Sequence, residues 1–141
     1  MLKKIVIPSS WKMIQNLVHK VDGFIVGIKE LSVNLPFYVD NLEEVVTFVK
    51  GYDKEIFISL NKNIHNSELE LLRETLFKLE KIGVSGVIYY DAGVVNIKRE
   101  LNLNLEGKQG ILSILHLVFV SLVYSSISHK LNKCPKAQVI K

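Results

Sequence analysis

Four times in succession, a short apolar run rich in β-branched residues gives way to a segment whose apolar residues recur every three or four positions. A switch from strand-like to helical periodicity, repeated in this order, leaves few folds open. Lys4-Ile-Val-Ile7, closed by Pro8, reads as a buried strand. Ser9 and Ser10 then offer N-caps to a helix carrying Trp11, Ile14, Leu17, Val18 and Val21 on one stripe, stopped at Asp22-Gly23. Phe24 to Ile28 is the second strand, and Leu31 to Val39 a loop punctuated by Pro36. Asp40 or Asn41 caps the next helix, where Leu42, Val45, Val46 and Val49 keep helical spacing up to Gly51. Glu55 to Leu60 is the third strand. Ser67 and Glu70 have capping-box spacing ahead of the stripe Leu69, Leu72, Leu76 and Leu79, with Gly83 as the stop. Gly86 to Tyr90 is the fourth strand, followed by a shorter helix near Val94 to Leu101.

Strands without clean alternation, separated by amphipathic helices, imply a parallel sheet with covered faces. Right-handed crossovers permit a barrel segment or an open doubly wound sheet. No G-x-G-x-x-G follows the first strand and no G-x-x-x-x-G-K-[ST] is present, so a nucleotide-binding sheet has little support. The chain has 141 residues, whereas a closed eight-stranded barrel needs at least about 200. The expected fold is therefore α/β: a partial (β/α) barrel-like unit of about four parallel strands over residues 1–105, with an apolar and basic segment over 106–141.

Composition narrows the function classes. At 48% apolar and 23% charged residues, disorder is not expected. Cys134, the single cysteine, cannot form an internal disulfide or by itself supply an iron–sulfur or structural zinc site. No basic region leads into an apolar signal core at the start, and a cytoplasmic location is expected. The net charge of +4 suggests nucleic-acid binding until it is located. Through Leu105, thirteen Lys and Arg balance thirteen Asp and Glu; the excess is Lys108, Lys130, Lys133, Lys136 and Lys141 against Glu106. The body thus gives no bulk sign of a phosphate-binding face.

In parallel α/β folds, ligands sit at the C-terminal ends of the strands. Those ends carry Ser9 and Ser10, Lys29 and Glu30, Asn61, Asn63 and His65, and Asp91. His65 has the chemistry of a proton shuttle near neutral pH, and Asp91 or Glu30 that of an acid or base. Asn61 could hold a substrate carbonyl or orient His65. Ser9, Lys29 and Asn63 are the substrate-binding candidates. Each also has a structural reading: His65-Asn66-Ser67 and Asp91 stand where helix caps belong, and Lys29 with Glu30 fits a solvated loop pair. No metal site is expected, since neither H-E-x-x-H nor a Cys/His cluster occurs.

Three segments together resemble one family. Asp22-Gly-Phe-Ile-Val-Gly-Ile-Lys-Glu-Leu-Ser32 is similar to the second-strand signature of the collagenase-like peptidases, peptidase family U32, which runs roughly D-A-x-x-x-G-x-x-x-[FY]-[SG]. Phe57-Ile-Ser-Leu-Asn61 with Ile64-His-Asn-Ser-Glu-Leu-Glu70 resembles its N-x-x-x-H-[ND]-x-E-L. Gly83-Val-Ser-Gly-Val-Ile-Tyr-Tyr-Asp-Ala-Gly-Val94 resembles its fourth-strand segment. The likeness covers about Lys3 to Leu105. It implies the N-terminal part of a β/α barrel, with Lys29, Glu30, Asn61, His65 and Asp91 as the matched polar residues. It also implies a peptidase, or a role in hydroxylating RNA bases or quinone precursors. Peptide and RNA are thus substrates by resemblance alone. Some members carry an iron–sulfur cluster on cysteines of their later half; with Cys134 alone, none is expected from this chain.

The chain departs from the family in two places. Pro8-Ser9-Ser10 replaces the common A-P-A-G ending of the first strand, and nothing after Glu106 resembles the continuing barrel. A truncated, frameshifted or degenerate member is expected, with its activity in isolation left open. The other reading is a non-catalytic scaffold that dimerises or takes a complementary barrel subunit along an open edge. Ile111 to Ile127 is apolar on all sides and 17 residues long, at the lower limit for crossing a bilayer. A cover for the open side of the half-barrel or a dimer contact is expected ahead of a membrane helix, and a product of reading-frame loss is the third reading.

Overall fold

The computed structural model describes residues 3–109 and 138–140. Strand β1 (Ile5–Ile7), helix α1 (Trp11–Leu17), β2 (Gly23–Gly27), α2 (Leu42–Gly51), β3 (Glu55–Leu60), α3 (Leu69–Ile82), β4 (Gly86–Tyr89) and α4 (Ala92–Glu100) alternate as the periodicity predicts. Two short strands follow, β5 (Glu106–Gln109) and β6 (Gln138–Ile140). Among the described residues the sheet order is β5-β4-β3-β2-β1-β6. β1 to β5 pair in parallel, each with the next, and β6 runs antiparallel beside β1.

The sheet therefore holds a fifth parallel strand where the pattern predicts about four. Glu-Gly-Lys-Gln carries neither an apolar run nor an alternation, so propensity gives no signal; the strand forms because the β4 edge supplies its hydrogen-bond partners. Ile111 to Ile127, the apolar segment, lies outside the described residues, as does Cys134. Among the described residues no helix is long and apolar enough to cross a membrane.

The strand residues divide by parity. Val6, Phe24, Val26, Ile56, Ile58 and Val87 share one buried cluster with Ile14 of α1, Val45, Val46 and Val49 of α2, Leu72, Leu76 and Leu79 of α3, and Val94 and Ile97 of α4. Alternate residues Ile7, Ile25, Phe57 and Ile88 form a separate, smaller cluster. All four helices thus cover the same face. A doubly wound sheet would split them between two faces, so the arrangement is that of a barrel wall.

The helix ends explain themselves locally, with one correction. Ser10, Asn41 and Asp91 cap α1, α2 and α4 through their side chains. Gly83 ends α3 in the left-handed region at φ 79°, where a Cβ would be strained. The capping box predicted at Ser67 and Glu70 lies two residues earlier. A 3-10 turn (Asn66–Glu68) precedes α3, and the Glu68 carboxylate accepts from the His65 N–H at 3.0 Å. Glu70 instead faces Arg73 at 3.6 Å on the surface. The turn begins at His65 because Glu68, unlike Glu70, is also held by Lys62.

Candidate functional site

The loops leaving the C-terminal ends of β2, β3 and β4 are stitched to one another by side chains that bond to backbone. The β2–α2 loop folds back over its own strand. Ser32 is buried, and its hydroxyl accepts from the Ile28 N–H at 2.9 Å while donating to the Ser59 carbonyl on β3. Gly27 permits this approach, since a Cβ there would overlap the Leu35 side chain. A hydroxyl that both donates and accepts is satisfied inside the core at no net loss of hydrogen bonding.

Asn61, the first residue after β3, grips the same loop. Its Oδ1 accepts from the Val33 N–H at 2.8 Å and its Nδ2 donates to the Val33 carbonyl at 2.9 Å. The carboxamide has the donor and acceptor of a peptide group, so it pairs with one backbone residue as a neighbouring strand would. Lys62 extends the link. Its N–H donates to the Leu31 carbonyl at 3.3 Å, and its ammonium reaches the Glu30 carbonyl at 3.3 Å and the Glu68 carboxylate. Glu68 is held below the usual carboxylate range, first by the Lys62 hydrogen bond and then by the His65 N–H.

Asp91, the first residue past the β4 end but one, joins the β3 and β4 loops. Its Oδ1 accepts from the Gly93 N–H at 2.7 Å and its Oδ2 from the Ile64 N–H at 3.0 Å. Asp91 is thus the cap of α4 and a tie to the residue beside His65, and both its oxygens are engaged. Ser9 is half-buried, with its N–H 3.3 Å and its hydroxyl 3.5 Å from the Met13 sulfur.

The other candidates face solvent at the same end of the sheet. Lys29, Glu30, Asn63 and His65 are exposed, and no ion pair joins Lys29 to Glu30 among the described residues. The structure therefore separates the predicted residues into two groups. Asn61 and Asp91 hold loops, while Lys29, Glu30, Asn63 and His65 present polar atoms outward. Among the described residues, no three His, Cys, Asp or Glu side chains converge as a metal site would need.

Sequence reasoning missed Ser32, Lys62 and Glu68, which do much of the tying. A serine at position 59 within an apolar strand hints at a polar contact there, but its carbonyl, not its hydroxyl, receives the bond. The His65-x-x-Glu68 spacing carried the capping signal that Ser67 and Glu70 obscured. Tyr90, 44% exposed directly after β4, is a further large side chain at this end.

Comparison with known proteins adds an independent line. The family model described as peptidase family U32 matches residues 10–109. No curated protein matches the chain. The solved structure of the U32 peptidase Mk0906 superposes with a TM-score of 0.58 at 21% identity, covering 70% of this chain. This chain spans 44% of that one. At that identity the likeness shows the fold alone: a partial barrel-like unit, with the strands and helices in the order given above.

Proposed function

Because the chain belongs to peptidase family U32, we propose that its half-barrel supplies one side of a peptide-binding site that further strands complete. The observation carrying this reading is the division at the strand ends. Asn61 and Asp91 spend their polar atoms on backbone, which fixes the loops, and so leave Lys29, Glu30, Asn63 and His65 exposed on a fixed rim. Preorganised loops with exposed polar groups are what a binding rim requires. His65 is the group suited to proton transfer and Glu30 the carboxylate nearest that role in kind. A complete hydrolytic centre also needs a polarised carbonyl and an activated water or nucleophile. We assign those to segments beyond this half-barrel, since this chain spans only 44% of the related structure.

Peptide is favoured over RNA on charge. The body through Leu105 is electrically balanced, and Lys62 is committed to Glu68. A phosphate backbone would ask for clustered, uncommitted cations at the rim. We place the protein in the cytoplasm, in keeping with one cysteine in 141 residues.

The test uses the full chain and fluorescein-labelled gelatin, followed by anisotropy and by release of small fragments. Binding without turnover is expected, with His65→Ala and Glu30→Gln weakening binding while the melting temperature stays put. Binding unchanged by both substitutions, or tighter capture of a single-stranded RNA of equal length, would sink the reading.

A second reading rests on β5, which pairs only with β4 among the described strands and so leaves an open parallel edge. An uncovered edge invites another strand. In that reading the chain is a scaffold subunit that takes a complementary barrel piece there.

A further inference from the structure

The sheet has a second face, opposite the helices, and it too is buried. Ile7, Ile25, Phe57 and Ile88, one from each of β1 to β4, form a row across it. They are between 4% and 9% exposed, although all four helices pack on the other face. Among the described apolar residues, Ile5 of β1 itself and Leu35 of the β2–α2 loop lie against this row. Leu35 sits over Gly27, at the C-terminal end of β2. One loop side chain is too small to roof a row three strand spacings wide, about 14 Å. Side chains on a sheet face without a second layer keep their tips in water. Exposure this low therefore requires such a layer.

In a closed barrel the opposite wall provides it, and the first strand pairs in parallel with the last. Here that side of β1 is taken by β6 in antiparallel, with Ile7 opposite Gln138. At the other edge β5 ends at Gln109, opposite Tyr89. The chain therefore leaves the sheet at one edge and rejoins it at the other, both times at the C-terminal ends of the parallel strands. The two edges are five strand spacings apart, at most about 24 Å. Residues 110–137 join them, and 28 residues reach up to about 90 Å when extended. That leaves ample chain to lie across one face on the way.

Chemistry selects the face. Ile111 to Ile127 contains no Asp, Glu, Lys or Arg. The outward side of the helix layer is largely polar, with Lys12, Glu43, Thr47, Glu74, Lys78 and Asn96 exposed. The second face presents four large apolar side chains. We infer that residues 111–127 of the same chain cover Ile7, Ile25, Phe57 and Ile88 and so form the second layer of the sheet. A segment tethered at both edges of the face it covers has a far higher effective concentration there than a second copy of the chain. The apolar run is thereby kept from water without a bilayer or a partner. The covered face lies below the strand-end rim, so the inference stands or falls independently of the peptide reading.

NMR on the full chain with labelled Ile, Leu and Val methyls tests it. Nuclear Overhauser cross-peaks are expected from the Ile7, Ile25 and Ile88 methyls to Leu and Val methyls within residues 111–127. They should be absent from an isotope-filtered spectrum of mixed labelled and unlabelled chains, which reports contacts between copies. The double substitution Leu117→Asp with Val118→Asp should lose these cross-peaks and gain fluorescence from a hydrophobic dye. Far-UV circular dichroism checks that its helices persist, and the wild-type spectrum decides the matter if they do not. A wild-type chain without the cross-peaks overturns the inference. So do cross-peaks that appear in the filtered spectrum, because a second copy then covers the face. Recovery only with detergent, with the Ile methyls in contact with detergent, would assign the segment to a bilayer and overturn it as well.

Discussion

The outer face of the sheet and the loops at its C-terminal rim are held together by different physics. On the outer face, side chains such as Leu72, Leu76 and Leu79 are fully buried in one apolar cluster with β-strand residues. The stabilisation there scales with apolar area removed from water and has little directional demand. At the rim, Ser32, Asn61, Lys62 and Asp91 act through single donors and acceptors at 2.7–3.3 Å. Each such bond contributes modestly in net terms, yet it fixes one loop in one position. The comparison teaches where stability resides and where geometry is set: the helix layer keeps the sheet folded, and the rim decides which polar groups point outward.

That contrast can be broken or sharpened by substitution. Leu76→Ala should cost about 2–5 kcal/mol in denaturant unfolding, as expected for a fully buried leucine that leaves a cavity. A cost under about 1 kcal/mol would mean the outer layer is not the principal core. Asp91→Ala should cost about 1–3 kcal/mol, because the Ile64 and Gly93 N–H groups lose their acceptor. Hydrogen exchange should quicken at those two amides first. Equal exchange at both in the variant would show that Asp91 does not tie the loops. Asn61→Asp should be destabilising by roughly 1 kcal/mol, since the acid keeps the acceptor for Val33 N–H but loses the donor to its carbonyl.

The Glu68 clasp gives a pH dependence of defined sign. Lys62 and the His65 N–H lower the folded pKa of Glu68 below its unfolded value. The contribution is therefore present at neutral pH and down to the ordinary carboxylate range, and it is lost as pH falls through the depressed folded value. Carboxyl NMR titration should place the Glu68 midpoint below the ordinary carboxylate value, and Glu68→Gln should abolish acid-induced loosening of the His65 amide. The smallest effect is expected at His65→Ala, within about 0.5 kcal/mol, because the side chain is exposed. A larger loss would make His65 part of the scaffold and remove it from the proposed rim.

The same contrast explains how far the sequence could be read. The four strand–helix repeats, their apolar stripes and the caps at Ser10, Asn41 and Asp91 were legible because periodicity and capping are local. The resemblance to peptidase family U32, carried by the segments around Asp22, Asn61 and Gly83, agrees with the family match over residues 10–109. β5 was not legible, because Glu106–Gln109 has no strand propensity of its own and forms against β4. The capping box was placed at the wrong pair because Ser67 and Glu70 fit the local rule as well as His65 and Glu68 do; Lys62, six residues from Glu68, decided between them.

The strand ends show the limit most clearly. The chain's own order of residues determined that Asn61, His65 and Asp91 follow strands and therefore gather at one end of a parallel sheet. It did not determine that Asn61 would spend both polar atoms on Val33, or Asp91 both oxygens on Ile64 and Gly93. Gly93 is a local cap partner, but Val33 and Ile64 lie 28 and 27 residues away in sequence. Periodicity reports which face a side chain takes, a property of a few neighbouring residues; hydrogen-bond partnership across loops depends on how separate strands register, which only the assembled sheet fixes.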